Sequence, residues 1–319
     1  MTYFDVFNGD ADGICSLVQL RLSEPRESRL VTGIKRDINL LQRVEAGNED
    51  EVSVLDISMQ KNQDDLRRIL SDGARVFYAD HHKSGDIPEH PNLSAHIEPS
   101  PSACTALIVD KYLKGRFHLW AITAAYGDNL TLVADELAKQ QGLSEQQSSA
   151  LQELGIYLNY NGYGASLDDL FYHPADLYRE CVQFSSPFDF IEQNKAVFQT
   201  LKNGFEQDVA SARSETLFHQ TASVGALMLP NQTWSRRVSG VFSNQLSNEN
   251  PDRAHVILTE KADGDYLVSI RAPQNQLEGA DEVASQFDTG GGRKGAAGIN
   301  ALPESEISAL IDLMEKRYG

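Results

Sequence analysis

The chain is short of cysteine, of positive charge and of long apolar runs, and each shortage excludes something. Its three cysteines, Cys15, Cys104 and Cys181, are spread over 319 residues. An odd, widely spaced set provides neither a disulfide framework nor a zinc-binding spacing, so they are expected as small core residues in a reduced, cytoplasmic compartment. No apolar stretch reaches about 18 residues, so no membrane-spanning helix is expected. The N-terminus lacks the basic-then-apolar pattern of a signal peptide. Lys and Arg number 28 against 46 Asp and Glu, a formal net charge of −18. That balance disfavours broad, charge-driven binding to long duplexes. A short anionic ligand remains possible where metal ions or a few arginines reverse the local charge.

What is present is an ordinary globular composition, 41% apolar and 23% charged, on a chain longer than one core usually holds. Two domains are therefore expected. The sharpest stretch is Val76-Phe77-Tyr78-Ala79-Asp80-His81-His82-Lys83-Ser84-Gly85, in which a β-favouring run ends in an acid and two histidines. Ligands of open α/β sheets bind at such strand ends. Two more apolar segments end the same way. Residues 3–7 lead into Asn8-Gly9-Asp10-Ala11-Asp12-Gly13, and residues 51–55 lead into Asp56. Helical periodicity follows at residues 14–22 and 61–70. Three apolar strands ending in acids and alternating with helices predict a parallel α/β sheet with carboxylates along one edge. Asp12 alone could be a helix cap, and Asp128, in Gly127-Asp128-Asn129, a turn, a cap or a fourth acid at that edge.

Further along, Ser100-Pro101 predicts a helix start, and residues 159–164 form a loop without evident chemistry. Residues 187–214 form a long helical stretch suited to connecting domains. A strand over 222–229, a helix over 234–246 and a hairpin around Asp263-Gly264 follow. Gly290-Gly291-Gly292-Arg293-Lys294-Gly295 then continues to Gly298 as a glycine-rich basic loop. Its backbone N–H groups could approach an anion closely, with Arg271 at the end of a neighbouring strand. The chain has no repeats and no low-complexity segment.

In their order, Asp10-Ala11-Asp12-Gly13, Asp56, Asp80-His81-His82, Asp128 and the loop 290–298 resemble the DHH phosphoesterase superfamily, in the branch with a DHH-associated C-terminal domain. That branch includes nanoRNases, RecJ-like exonucleases and cyclic-dinucleotide phosphodiesterases. The resemblance implies an α/β fold: a parallel-sheet DHH catalytic domain over residues 1–186, a helical linker over 187–214, and a smaller α/β substrate-binding domain over 215–319. It also implies two manganese ions bridged by Asp56, with Asp10 on one ion and Asp12, His81 and Asp128 on the other. Mg²⁺ or Co²⁺ are possible substitutes. His82, beside the phosphate, and Asp80 are the catalytic candidates. An oxygen-rich site with imidazole and no thiolate suits manganese, and paired ions can clamp an in-line phosphoryl transfer.

Two positions depart from the pattern. Asn8 stands near where relatives carry a histidine or aspartate, and Arg293 follows the glycines where a histidine is usual. The expected activity is a manganese-dependent phosphodiesterase that shortens single-stranded RNA or DNA oligonucleotides to mononucleotides. The C-terminal domain would grip the far end through Arg271, Gly291, Gly292, Arg293 and Lys294. The alternatives are hydrolysis of a cyclic dinucleotide, a 3′-phosphonucleotide or polyphosphate, and a non-catalytic nucleotide sensor. Neither polarity of attack, RNA against DNA, nor a possible homodimer is decided by the sequence.

Overall fold

Tyr3–Phe7 begins the chain as a strand (β1) whose alternate residues face two different layers. Phe4 and Val6 join one apolar cluster, while Asp5 meets Arg21 from the following helix. The structure, a computed structural model, describes all residues from Met1 to Gly319. Strands β2 (Arg29–Val31), β3 (Glu51–Leu55), β4 (Arg75–Asp80) and β5 (Leu93–Ile97) complete an all-parallel sheet in the order β2-β1-β3-β4-β5. Val52, Val54, Leu55, Val76, Tyr78 and Ala79 make the central strands apolar on both faces, as a sheet covered on both sides requires. Helices α1 (Ala11–Ser23), α2 (Gln63–Ser71), α3 (Thr105–Tyr112), α4 (His118–Gly127), α5 (Thr131–Gln140), α6 (Glu145–Asn161), α7 (Pro174–Cys181) and α8 (Pro187–Gln193) follow. α4 is buried from Trp120 to Gly127, which explains its apolar character all round.

The chain divides into two compact units, Met1–Asn203 and Gly204–Gly319, with the division inside α9 (Lys195–Ser214). The second unit has six strands: β6 (Leu217–Gln220), β7 (Val224–Leu229), β8 (Ala254–Glu260), β9 (Tyr266–Arg271), β10 (Gly290–Arg293) and β11 (Ala296–Leu302). Their order is β10-β11-β9-β8-β7-β6. Only β7 and β8 run parallel, and α10 (Thr233–Glu249) joins them. Val238 and Phe242 of α10 pack on one face, beside Leu227 and Ile257. Helices α11 (Ala280–Ala284) and α12 (Ile307–Tyr318) lie on the other, over Val256, Val268 and Ile299.

Four local expectations need correcting. The helix predicted at Ser100-Pro101 begins at Thr105. Ser100 caps only a turn, accepting Ser102 N–H on its hydroxyl and Ala103 N–H on its carbonyl. The stretch 187–214 is two helices, because Asn194 ends α8. α8 belongs with the first unit, where Phe190 packs edge-on to Trp120 and Phe184. The glycine-rich stretch is a hairpin of β10 and β11 rather than an open loop. At Gly292, φ is +153° and a Cβ would come within 2.4 Å of Ala297 Cα, so the pairing itself demands glycine. Strands β5 and β6 were not anticipated; β5 is only half-buried and β6 is an edge strand, so neither carries a strong apolar signal.

Candidate metal centre

The strand order places a crevice between β1 and β3, where the chain's path across the sheet reverses, and this is the ligand-binding position of such sheets. Asp10 follows β1, Asp56 follows β3, and Asp80, His81 and His82 close β4. Asp128 arrives from the end of α4. Three expected carboxylate ligands converge on one atom of a fourth. His81 Nε2 lies 3.4 Å from Asp56 Oδ1, 3.8 Å from Asp12 Oδ2 and 3.9 Å from Asp128 Oδ2. Oxygen and nitrogen ligands around 2.1 Å from a divalent ion lie about 3–4 Å from one another. The spacing, and the absence of thiolate, therefore fit a hard or borderline divalent ion at Asp12, His81 and Asp128, with Asp56 against the same histidine nitrogen; Asp56, His81 and His82 form a second group at ligand spacing.

Local structure works against itself here in ways that stability alone does not explain. Asp56 holds φ at +58°, a left-handed conformation that aspartate tolerates but most residues avoid. Asp128 puts a carboxylate at the C-terminal end of α4, the wrong end for the helix dipole. Burial, and then the charges of Asp12 and Asp10, push the Asp56 carboxyl well above its ordinary range. The same causes in the same order raise Asp128 to about 7. Both groups therefore resist ionisation until a cation arrives.

The other acids have partners. Asp12 accepts backbone N–H from Thr105 and from Ala106, each at 2.7 Å, and so caps α3 from across the fold. That explains where α3 begins, since its own cap residue Cys104 offers no side-chain bond. Asp10, rather than Asp12, caps α1, its Oδ1 accepting N–H from Asp12 and Gly13. Asp80 Oδ1 binds His82 Nδ1 at 2.7 Å, while its buried Oδ2 has no partner. The Asp80 bond, working against burial, raises the His82 pKa.

Asp10 also meets a residue that no motif marks. Lys35 Nζ lies 2.6 Å from Asp10 Oδ2 and donates to Asn159 Oδ1 at 2.8 Å. Burial opposes the Lys35 charge, but the neighbouring Asp10 outweighs it and the ammonium is held above its ordinary pKa. Residues 159–164, read as a featureless loop, instead form a wall of the site. Besides Asn159, Gly162 O accepts Lys35 N–H at 2.8 Å and the Tyr163 ring lies beneath the ammonium. Lys35 follows β2 at the same sheet edge as Asp10, so the strand-end rule could have flagged it. Asn159 and Tyr163, arriving from the end of α6, gave no such signal. Tyr160 packs among aromatic rings, and Tyr172 backbone N–H and C=O bond the Asn161 amide.

In the second unit, Arg293 pairs with Ala296 and Ala296 with Arg271 across three strands. Directly opposed residues share a face, so both arginines flank a small alanine, about 10 Å apart at two strand spacings. Arg271 Nε donates to Asn244 Oδ1 at 2.7 Å, and Lys294 Nζ lies 3.6 Å from Glu278. Gly291 and Gly292 sit on β10 opposite Gly298 and Ala297.

The chain matches no family model and no curated protein by sequence. Solved structures are another matter. A manganese-bound RecJ exonuclease superposes over 99% of this chain and 89% of its own, with TM-score 0.65 and 15% identity. The pGpG-specific phosphodiesterase PggH from Vibrio cholerae superposes over 99% and 98%, with TM-score 0.57 and 12% identity. A DHH domain protein gives TM-score 0.60 at 13% identity over 99% of this chain and 86% of its own. The chain shares the fold of these proteins, one of them a DHH domain protein. In RecJ from Thermus thermophilus, in complex with Mn²⁺, this DHH fold accounts for about half the protein: 52% of that chain is covered, with TM-score 0.62 and 14% identity. No helix here is long and apolar enough to cross a membrane. Cys15, Cys104 and Cys181 are buried, free thiols.

Proposed function

We propose that this chain is a manganese-dependent phosphodiesterase that hydrolyses short single-stranded oligonucleotides to mononucleotides. The observation that carries the proposal is the convergence of Asp12, Asp56 and Asp128 on His81 Nε2, within 3.4–3.9 Å, at the sheet's switch point. A fold shared with a RecJ exonuclease and a pGpG-specific phosphodiesterase supports phosphodiester chemistry. The net charge of −18 supports a short substrate, since a processive nuclease needs a long basic groove.

A divalent ion at this cluster would supply Lewis acidity toward a phosphoryl oxygen and toward the attacking water. The chain's own residues do the remaining work. Asp80 fixes the His82 ring through Nδ1, leaving Nε2 to face the phosphate. The raised His82 pKa keeps a proton there to donate to the phosphoryl oxygen or the leaving oxygen. Lys35 adds a fixed positive charge beside Asp10. Arg271 and Arg293 offer a second phosphate site, each able to give charge-assisted hydrogen bonds. Because arginine stays charged at every working pH, Arg293 keeps that role where relatives use histidine.

The test is turnover of a 5′-phosphorylated RNA dinucleotide with manganese, beside a longer RNA, a cyclic dinucleotide and a 3′-phosphonucleotide, with an Asp80→Ala control. Metal-dependent loss of the dinucleotide, absent in the control, is expected. Vigorous degradation of the long strand without activity on the dinucleotide would overturn the substrate assignment. Preference for the cyclic dinucleotide or the 3′-phosphonucleotide would keep the chemistry and change the substrate. Silence on all four would overturn the enzymatic reading.

A further inference from the structure

Asp10 already holds a cation. Its Oδ1 accepts the Asp12 and Gly13 amides, and its Oδ2 meets the Lys35 ammonium at 2.6 Å. A divalent ion on that oxygen would sit about 2.1 Å away, in space the ammonium already fills. Lys35 is not a chance visitor. Its backbone N–H is bonded to Gly162 O, and its carbonyl accepts Asn8 Nδ2–H at 3.3 Å. The loop carrying it touches the site at Gly9, where a Cβ would come within 1.9 Å of Gly33 O.

Asn8 is matched to this arrangement. An aspartate at position 8 would set a second acceptor against the Lys35 carbonyl, whereas the amide donates to it. The buried Asn8 Oδ1 has no protein partner, but one neutral amide oxygen is a weak hold on a divalent ion.

We propose that this chain holds a single divalent ion, at Asp12, Asp56, His81 and Asp128, and that the Lys35 ammonium takes the place of a second cation at Asp10. The inference rests on the metal reading of the cluster given above. It departs from the two-ion arrangement that the motif resemblance implies. The expected roles of Asp10 and Asp56 change accordingly: Asp10 anchors Lys35, and Asp56 serves one ion rather than bridging two.

The experiment is a manganese titration of the full chain after chelator treatment, followed by electron paramagnetic resonance. Loss of the free-ion signal counts bound ions, and the bound spectrum distinguishes isolated from exchange-coupled manganese. The wild type is expected to take up one ion per chain, with an isolated-ion spectrum. The pair of changes Asn8→Asp and Lys35→Met is expected to raise the count to two and to produce a coupled spectrum. Two ions in the wild type, or one ion in a folded double variant, would overturn the inference while leaving the metal reading intact. No bound ion at all would overturn both. The wild-type count decides the matter even if the double variant fails to fold.

Discussion

Asp12 and Asp128 face the same histidine, yet replacing each by asparagine should move the stability of the metal-free protein in opposite directions. Asp12→Asn keeps one acceptor oxygen where two backbone N–H groups, from Thr105 and Ala106, now bond at 2.7 Å. The new NH₂ group would face a donor, leaving a buried N–H unpaired at a cost of about 1–3 kcal/mol. The lost charge also weakens the remaining bond and the favourable interaction with the α3 dipole. Relief of repulsion works the other way. It is small at about pH 6, where Asp128, whose carboxyl titrates at about 7, is largely protonated. A net loss of about 2 kcal/mol follows.

Asp128 has no comparable support. Its carboxyl titrates at about 7 in the folded protein against an ordinary 3.8. At about pH 8 its ionisation therefore costs at most about 4 kcal/mol at 1.36 kcal/mol per pH unit. Its side chain is 23% exposed, and solvent screening and relaxation reduce that to about 2 kcal/mol. Asp128→Asn removes this cost, so the metal-free variant should be the more stable at about pH 8, with the gain shrinking toward pH 4. Urea unfolding of chelator-treated wild type and both variants, at both pH values, measures the two signs. Adding manganese should then raise the wild-type midpoint strongly and both variants weakly, since each has lost a ligand. A metal-free Asp12→Asn protein more stable than wild type at about pH 6 would refute the capping argument. A destabilised Asp128→Asn protein at about pH 8 would refute the argument from crowded charge.

The remaining predictions concern titration and turnover. Because Asp56 and Asp128 hold protons in the fold above their ordinary 3.8, the folded metal-free protein binds more protons than the unfolded chain between there and about pH 7. Its stability should therefore fall as pH rises through that window. Manganese must displace the same protons, so its affinity should weaken as pH drops below about 7. Calorimetry at about pH 6.5 in two buffers of different ionisation enthalpy reads the released protons, and buffer-independent heats would contradict the assignment. His82→Asn should lower kcat by about 10²–10⁴ and leave the manganese count unchanged; a loss of bound metal would instead make His82 a ligand. Arg271→Met combined with Arg293→Met should raise KM for the dinucleotide about tenfold or more, since a hydrogen bond to a charged group is worth about 1.5–3 kcal/mol. An unchanged KM would remove the second unit's arginine pair from substrate binding.

The acids were legible in the sequence because the feature that places them is local. An apolar run sets a strand, the strand's end sets the position, and Asp10, Asp56 and Asp80 fall at three neighbouring ends of one parallel sheet. The hairpin at Asp263-Gly264 was legible for the same reason, with Gly264 at φ +89°. What the sequence could not display is pairing across long separations. The start of α3 depends on Asp12, 93 residues earlier than Thr105. Without that partner, the serines and proline at 100–102 are the better-looking helix start. The glycine run at β10 resembles a mobile anion loop until β11 is seen to pair with it.

The same asymmetry governs the candidate centre. A motif marks the carboxylates, but the chemistry depends on which of them remain uncompensated, and the compensating groups carry no motif. Lys35 is an ordinary lysine in a polar segment, 124 residues from Asn159, which holds its ammonium against Asp10. Asn8, taken alone, resembles a weakened ligand and argues for a damaged site. Beside Lys35 it becomes the donor that fixes the lysine backbone. A neutral amide with a resident ammonium is then a different solution to the same electrostatic problem. This is why the departure at position 8 bears on the number of ions the chain holds rather than on whether it holds one.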